Sequence, residues 1–464
     1  MPAKRTPASE RLPATGGQGR AAGLSPGPRP GSPSWLVPSL LTLGGTALAW
    51  AVIIYTFNIR ELGYDFYDVT DTPLYFSIMQ TIRAGHHPYR DFLLAYPPLA
   101  VPLFTLPVTL APILVPLAGI VSLFQGAPRP AATDLTTYSG AFAAEMILLS
   151  CLMNLTVVGT LIRRGATTRH RGLVVGLCAM ALLACGAIVA NRYDIAVALD
   201  LSLAVGAIMC GWLYVGAIAI GLGIALKLIP VLLLPLLLML CRSRGEVART
   251  AGLCAAAAVI PFLPYVGAPG LEYIISSAAD RPLQIESVLA TPLWIGHLLG
   301  LSRLRVDSAF GSQFLTGPVA ASLARLSPLV AIVTLGATYL LIWNRRRALR
   351  ADSGQAALAA CALVTGFLIS SKLLSPQFLI WLLPFIPLLW GVRRGVVLAI
   401  FAALVLTQVE FPARYWALVH LDSKTAGVVV ARNAALLLAF ILAWSGLQKP
   451  GSPSRQEKSG PGGP

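Results

Sequence analysis

The residues best suited to chemistry crowd into one stretch of the chain. Residues 58–96 read NIRELGYDFYDVTDTPLYFSIMQTIRAGHHPYRDFLLAY. The stretch holds Glu61, Asp65, Asp68, Asp71 and Asp91, five of the chain's 19 acids. Tyr64, Phe66, Tyr67, Tyr75, Phe76, Tyr89, Phe92 and Tyr96 are interleaved with them. A positioned carboxylate can take the proton from an attacking hydroxyl. Carboxylates also accept bonds from sugar hydroxyls, and aromatic faces stack on the apolar face of a sugar ring. Acids interleaved with aromatics therefore suit a carbohydrate chemistry. On composition alone, a solvated loop with helix caps and interfacial tyrosines is the simpler reading.

Cations that could receive a developing negative charge lie further along. Arg192, Lys227, Arg281 and Lys372 stand beside or between apolar segments. Lys227 is the only charge between Trp212 and Leu240. A lysine at mid-membrane costs roughly 2.5–3.5 kcal/mol on insertion scales, so it needs a cavity or a partner. The competing expectation is that it snorkels from a helix end. Glu145, Asp200 and Arg432 also sit inside apolar runs, where each needs a partner within the bundle. His86 and His87 flank a turn at Gly85, and His297 and His420 are scattered. No metal-ligand spacing appears, so no cofactor is expected, although a divalent ion on the loop acids stays open. None of the seven cysteines forms a CxxC pair, and all lie in or at the ends of apolar segments. They read as packing residues.

These groups must be positioned by membrane helices. The chain is 56% hydrophobic and 12% charged, whereas soluble domains carry about a quarter charged residues. Its mean hydropathy is +0.73. The net charge of +16 does not point to nucleic acid, because the basic residues form short clusters between apolar segments rather than one face. The clusters are Arg163/Arg164/Arg169/Arg171, Arg242/Arg244/Arg249, Arg345/Arg346/Arg347/Arg350, Arg393/Arg394 and the two tails. All are expected in the cytoplasm. Residues 1–34 read as a disordered basic tail and 448–464 as a second polar tail. Residues 35–447 form a single multi-pass domain of about 12 helices, beginning with a span over Leu36–Phe57. Residues 97–124, with six prolines, disturb the alternation. Either they form a hairpin or re-entrant piece, or the arginine rule fails at Arg163.

Within the loop, Pro73 opens a helix with Asp71 or Thr72 near its N-cap. The helix should run to Arg83 or Ala84 and stop at Gly85. Leu74, Ile78 and Ile82 predict one apolar face, as for a helix lying at a membrane surface.

The spacing Asp71-x-x-x-Tyr75, Gly85, Pro88-Tyr89, Asp91-Phe92 and Tyr96-Pro97-Pro98 resembles a first-loop signature. The family is the polyprenyl-phosphate-sugar-dependent glycosyltransferases of the GT-C superfamily, with the bacterial α-mannosyltransferase group closest. Four later segments resemble the same family in the same order. They are Arg192-Tyr193-Asp194, Gly223–Pro230, Arg281–Ser287 and Ser371–Phe378. The resemblance thus runs from about residue 65 to 385.

The resemblance implies an all-α GT-C fold with a helical first loop and an active site on the outer face of a bacterial plasma membrane. It implies a lipid-linked sugar donor, mannose first among the candidates, and a glycolipid or polysaccharide acceptor. It makes Asp71 the base, with Asp68 second, three residues away. Asp91, Tyr75, Tyr89, Tyr96, Gln284, Glu286 and Gln377 become supporting or substrate-binding residues. Arg192, Lys227, Arg281 and Lys372 become candidates for the donor phosphate. The Pro-, Ala-, Gly- and Arg-rich composition resembles that of high-GC actinobacteria, which build such envelope glycans. The alternative is a transporter or flippase, because short, proline-broken helices with buried charges also suit that fold. Against it, the 71–98 pattern has no second copy.

Overall fold

The computed structural model describes residues 35–58, 70–109 and 135–448. Asp68 and the other acids before Thr70, most of the 97–124 stretch and both tails lie outside the described residues.

In lipid the backbone must satisfy its own hydrogen bonds, so apolar segments of this chain become helices. They are α1 (Leu36–Asn58), α2 (Thr72–Arg83), α3 (Ala100–Thr109), α4 (Leu135–Arg163), α5 (Thr168–Cys185), α6 (Asp194–Cys210) and α7 (Leu213–Leu226). Then come α8 (Leu233–Leu240), α9 (Arg244–Val259), α10 (Thr291–Leu298), α11 (Pro318–Ala351), α12 (Ser353–Ser370), α13 (Arg394–Glu410) and α14 (Ser423–Gln448). Short helical turns link several of them. Among the described residues, six stretches are long and apolar enough to cross a membrane. They are Leu36–Thr56, Thr137–Arg163, Arg244–Tyr265, Pro318–Ala351, Ser353–Ser370 and Ser423–Gln448. The chain is a helical, membrane-embedded protein. Its centre is α12, 83% of whose apolar window is buried, whereas the Arg244–Tyr265 stretch has 11% buried and faces outward.

The bundle has two unlike ends. At one, Arg350 donates to the carbonyls of Met239 (2.8 Å) and Cys241 (2.5 Å), and Arg163 lies over Trp212 at 4.8 Å. Trp35, just before α1, meets Gly159 near the end of α4, so α1 starts at this arginine-rich end. The other end gathers residues 70–99, 192–194, 266–317, 371–378 and 411–422. Here Gly270 donates to the Tyr89 carbonyl at 2.7 Å and Gln284 to the Lys372 carbonyl at 3.0 Å.

The described part of the proline-rich stretch, residues 97–109, fits this plan. Helix α3 spans ten residues, about 15 Å. It starts where Leu99 donates to the Ala225 carbonyl (2.9 Å), and its Phe104 carbonyl accepts from Tyr138 near the start of α4 (2.9 Å). Residues 100–109 therefore stay at the loop-rich end, and Arg163 falls with the other arginine clusters.

One expectation needs correction, and one local feature adds to the all-α plan. The buried face of α2 is Tyr75, Ile78 and Met79, while Leu74 is exposed, so the apolar stripe is turned one position from the one the aliphatic residues suggest. The cause is Tyr75, which stacks on Phe104 with ring centroids 4.4 Å apart. The 267–325 segment is not wholly helical. It carries a three-stranded antiparallel sheet of β1 (Leu283–Gln284), β2 (Val306–Ala309) and β3 (Ser312–Leu315), in the order β1-β3-β2. Phe310 and Gly311 turn the β2–β3 hairpin with φ of 50° and 67°, as a tight primed turn requires. Beneath it, Leu283, Ile285, Trp294, Leu315, Leu418 and Val429 make a small separate core.

Candidate functional site

Asp71 occupies the N-cap position of α2 but makes no side-chain capping bond. Thr70 does that work, its Oγ1 accepting from the Thr72 N–H at 3.1 Å. The Asp71 carboxylate is thereby released and forms an ion pair through Oδ1 with Arg192. Its Oδ2 lies 3.5 Å from the Tyr75 hydroxyl, a long contact. The side chain of Asp71 is 29% exposed and that of Arg192 7%.

Asp194, two residues on, begins α6 and is fully buried. Its Oδ1 accepts from Lys227 Nζ at 2.6 Å and from Trp381 Nε1 at 2.7 Å. The Lys227 ammonium sits 4.8 Å from the ring centre of Tyr193, 5.0 Å from Phe378 and 5.1 Å from Trp381, an aromatic cage that suits a cation. Snorkelling is therefore not how Lys227 is accommodated. The chain breaks between α7 and α8 to place it there, with Lys227 in extended conformation.

The tyrosines wall the site. Tyr75, Tyr96, Phe104 and Tyr193 pack edge-to-face or stacked, with Tyr96–Tyr193 at 5.5 Å and Phe104–Tyr193 at 5.6 Å. Tyr75 is wholly buried and Tyr96 half-buried. Burial, and then Asp71, hold the Tyr96 hydroxyl above its usual range. Tyr89 adopts φ 66°, rare for a bulky residue. Three bonds fix it: its hydroxyl to the Tyr96 carbonyl (2.6 Å), its N–H to the Phe92 carbonyl (3.1 Å) and its carbonyl from Gly270. Asp91 closes the neighbouring turn, accepting from the His87 N–H at 2.7 Å. Tyr89 and Asp91 thus shape the loop rather than line its opening.

The downstream motifs form a scaffold behind the site. Gln284 Oε1 accepts from Leu374 N–H (3.0 Å), and Ser287 Oγ donates to the Ser371 carbonyl (2.7 Å). Arg432 donates to the Glu286 carbonyl at 2.7 Å and Asn433 to the Ser287 carbonyl at 3.2 Å. Glu286, Glu410 and Arg432 are all buried and interact electrostatically. Burial, then the Glu410 carboxylate, push Glu286 well above the usual carboxylate range. Gln377 accepts from Ser375 Oγ at 2.7 Å, and Phe378 stacks on Trp381 at 4.5 Å.

The four candidate cations fall into two groups. Arg192 and Lys227 are each matched to an aspartate. Arg281 and Lys372 instead border a separate cleft, with Lys372 Nζ donating to the Ala279 carbonyl at 2.5 Å. Glu145 and Asp200 are buried elsewhere in the bundle, and among the described residues Glu145 Oε1 and Oε2 and Asp200 Oδ2 have no hydrogen-bond partner. Among the described residues no group of three His, Cys, Asp or Glu comes together to hold a metal ion.

No family model matches this sequence, and no curated protein matches it. The likeness to lipid-linked glycosyltransferases therefore rests on the five motifs, whose residues meet at one end of the bundle.

Reading the sequence left Asp194, Trp381 and Tyr415 out of the site. Asp194 had a signal, since a buried lysine needs an acid and Asp194 stands two residues from Arg192. Trp381 and Tyr415 had none, because both lie far away in the chain and Trp381 is set among apolar residues. Tyr415 packs edge-to-face on Phe411 at 5.3 Å, and the Phe411 ring lies 6.0 Å from the Arg192 guanidinium.

Proposed function

We propose that the protein transfers a sugar, mannose first among the candidates, from a polyprenyl phosphate to a glycolipid or polysaccharide acceptor at the outer face of a bacterial plasma membrane. The observation that carries this reading is Asp71. It is a partly exposed carboxylate, anchored by one oxygen to Arg192 and set among aromatic rings. Asp194, Glu286 and Glu410 are fully enclosed, and Asp91 is spent on a turn. Among the described residues around the aromatic wall, Asp71 is the acid that combines access with positioning.

The chemistry follows from that geometry. The acceptor hydroxyl gives its proton to Asp71 Oδ2 as its oxygen bonds to the anomeric carbon of the sugar. The bond from that carbon to the phosphate oxygen breaks, and its electron pair leaves with the lipid phosphate. The proton then passes to water. A single displacement needs one base, not the carboxylate pair of a retaining hydrolase. A positioned base contributes roughly 10²–10⁴-fold. Arg192 holds the carboxylate in direction. Nearby cations balance charge on the departing phosphate.

In this reading the arginine-rich end faces the cytoplasm, as the positive-inside rule favours, and the site faces outward. The shorter passes, α5, α6, α7, α8, α13 and the 376–389 turns, cross as well, each shielded by its neighbours. Together with the six long ones they make twelve.

Purified protein in nanodiscs, given radiolabelled polyprenyl-phosphate mannose and an envelope lipid extract, tests the reading. Label moving into a glycolipid supports it. Label that crosses a vesicle bilayer with no new bond formed favours the transporter alternative instead.

A further inference from the structure

Three charged side chains meet away from solvent at the loop-rich end of the bundle. Glu286 stands just after β1, Glu410 ends α13 and Arg432 lies in the third turn of α14. Helix α13 packs along α14, and Arg432 Nη2 donates to the Glu286 carbonyl at 2.7 Å, so the three elements come together there. Glu410 and Arg432 are fully enclosed, and Glu286 is 1% exposed. The three interact electrostatically, yet among the described residues no direct ion pair joins Arg432 to either acid. Arg432 Nε and Nη1, Glu286 Oε2, both Glu410 carboxyl oxygens and Asn433 Oδ1 have no hydrogen-bond partner among the described residues. The two nitrogens have protons to give, and the four oxygens accept.

Buried polar groups in proteins are bonded to protein or to ordered water. Unmet donors and unmet acceptors at one place call for a molecule that both donates and accepts. Water does so, and it bridges partners that stand too far apart for a direct ion pair. A cation would meet the charge of Arg432, and an anion would meet two carboxylates. The charges point the same way. One guanidinium offsets one carboxylate, and the second negative charge has no partner in a closed interior. Two carboxyls so placed keep one proton between them rather than ionise twice. Their other neighbours do not supply the missing cation. Gln284, which bonds to the Glu286 carboxyl, is uncharged. Tyr415 interacts with both acids but is held protonated by burial, and the Asp71–Arg192 pair it also interacts with is already balanced.

We propose that Glu286, Glu410 and Arg432 form an internal site for ordered water and a single proton, which the two carboxyls share. The proposal does not rest on the glycosyl-transfer reading, and it gives Glu286 a role away from substrate. The site also acts as a lock. Arg432 and Asn433 hold the Glu286 and Ser287 carbonyls, and the same loop ties Gln284 and Ser287 to residues 371–374. With the proton in place the group is neutral and the loop is held. Loss of the proton sets two like charges in a closed space, which loosens the loop and the 371–374 segment bonded to it.

Full-length protein in nanodiscs tests this by infrared spectroscopy and by thermal unfolding across pH. A shared proton needs both carboxyls. At about pH 6 the wild type should show a protonated-carboxyl stretch that Glu286→Gln and Glu410→Gln both lack, because the carboxyl left behind ionises against Arg432. The folded protein holds this proton more tightly than the unfolded chain does. Its contribution is therefore complete below the unfolded carboxyl value of about 4.3 and is lost as pH rises through the raised folded value. Each single variant should remove the whole of that loss between pH 5 and pH 8. The double variant should be equally flat but melt below both, because it strands Arg432. Hydrogen exchange over residues 283–291, corrected for its intrinsic pH dependence, should rise across the same window in the wild type and not in Glu410→Gln. A cryo-EM map of the wild type that resolves ordered water needs no variant, and should show water between Arg432 and the two acids. A stretch kept in either single variant means that the proton sits on one carboxyl alone and overturns the sharing. Single variants that each remove half of the pH dependence do the same, since the two acids then titrate independently. A water-resolving map with no density between the three side chains overturns the site, and equal exchange in wild type and variant overturns the lock.

Discussion

Asp194 is the residue on which the polar interior turns. It accepts from Lys227 and Trp381 through one oxygen while fully enclosed. Removing one partner of a buried pair typically costs about 3–5 kcal/mol, because the other charge is stranded. Asp194→Asn should therefore lower the thermal unfolding temperature of the detergent-purified protein sharply. Asp194→Asn combined with Lys227→Met should recover part of the loss. If the double variant melts lower still, the pair is not the unit that matters. Glu286 offers a test by pH. Its folded-state pKa is raised by burial and by Glu410, so the fold holds its proton more tightly than the unfolded chain does. That contribution is complete below the unfolded value of about 4.3 and is lost as pH rises through the raised value. Glu286→Gln has no proton to lose. Its unfolding temperature should gain on the wild type between pH 5 and pH 8, and a gap that does not change with pH would contradict this. At this scale the sequence was informative where charge stood out against an apolar background, as at Lys227, and silent where the partner was a tryptophan.

The elements show why one residue's neighbours were misjudged. Pro73 and Gly85 marked both ends of α2, and the helix runs from Thr72 to Arg83 between them. Its inward face was misread because it was drawn through the aliphatic residues Leu74, Ile78 and Ile82, when Tyr75 is the central contact with Phe104 and Tyr193. Only the position of α3, about thirty residues away, reveals that. Close helix packing is a second property of elements. At Gly221 an added Cβ would stand 2.4 Å from the Cys254 carbonyl oxygen and 2.7 Å from the Ala257 Cβ, so α7 and α9 touch there through backbone. Gly221→Ala should force them apart at a cost of about 1–3 kcal/mol. Reduced folded yield on size-exclusion chromatography and a lower melting temperature would register it. Wild-type behaviour would mean that the two helices pack more loosely than described.

For the whole molecule, the proposed topology rests on the arginine clusters, which gather at one end and leave the loop-rich end for the proposed chemistry. The prolines of 97–109 hid the short helix α3, which stays at the loop-rich end. The small sheet over residues 283–315 had no such signal, since its strands are two to four residues long. A cysteine at Ala278 should react with a membrane-impermeant thiol reagent on intact cells, and one at Arg347 only after permeabilisation. The reverse pattern would turn the molecule over and move the site to the cytoplasm. The central claim is that Asp71 is the base for sugar transfer. Its most direct test compares membranes carrying equal amounts of wild type and Asp71→Asn, supplied with radiolabelled polyprenyl-phosphate mannose and envelope lipids. The account predicts label in a glycolipid with the wild type and a loss of roughly 10²–10⁴-fold in the variant. Equal transfer by the two proteins would contradict it.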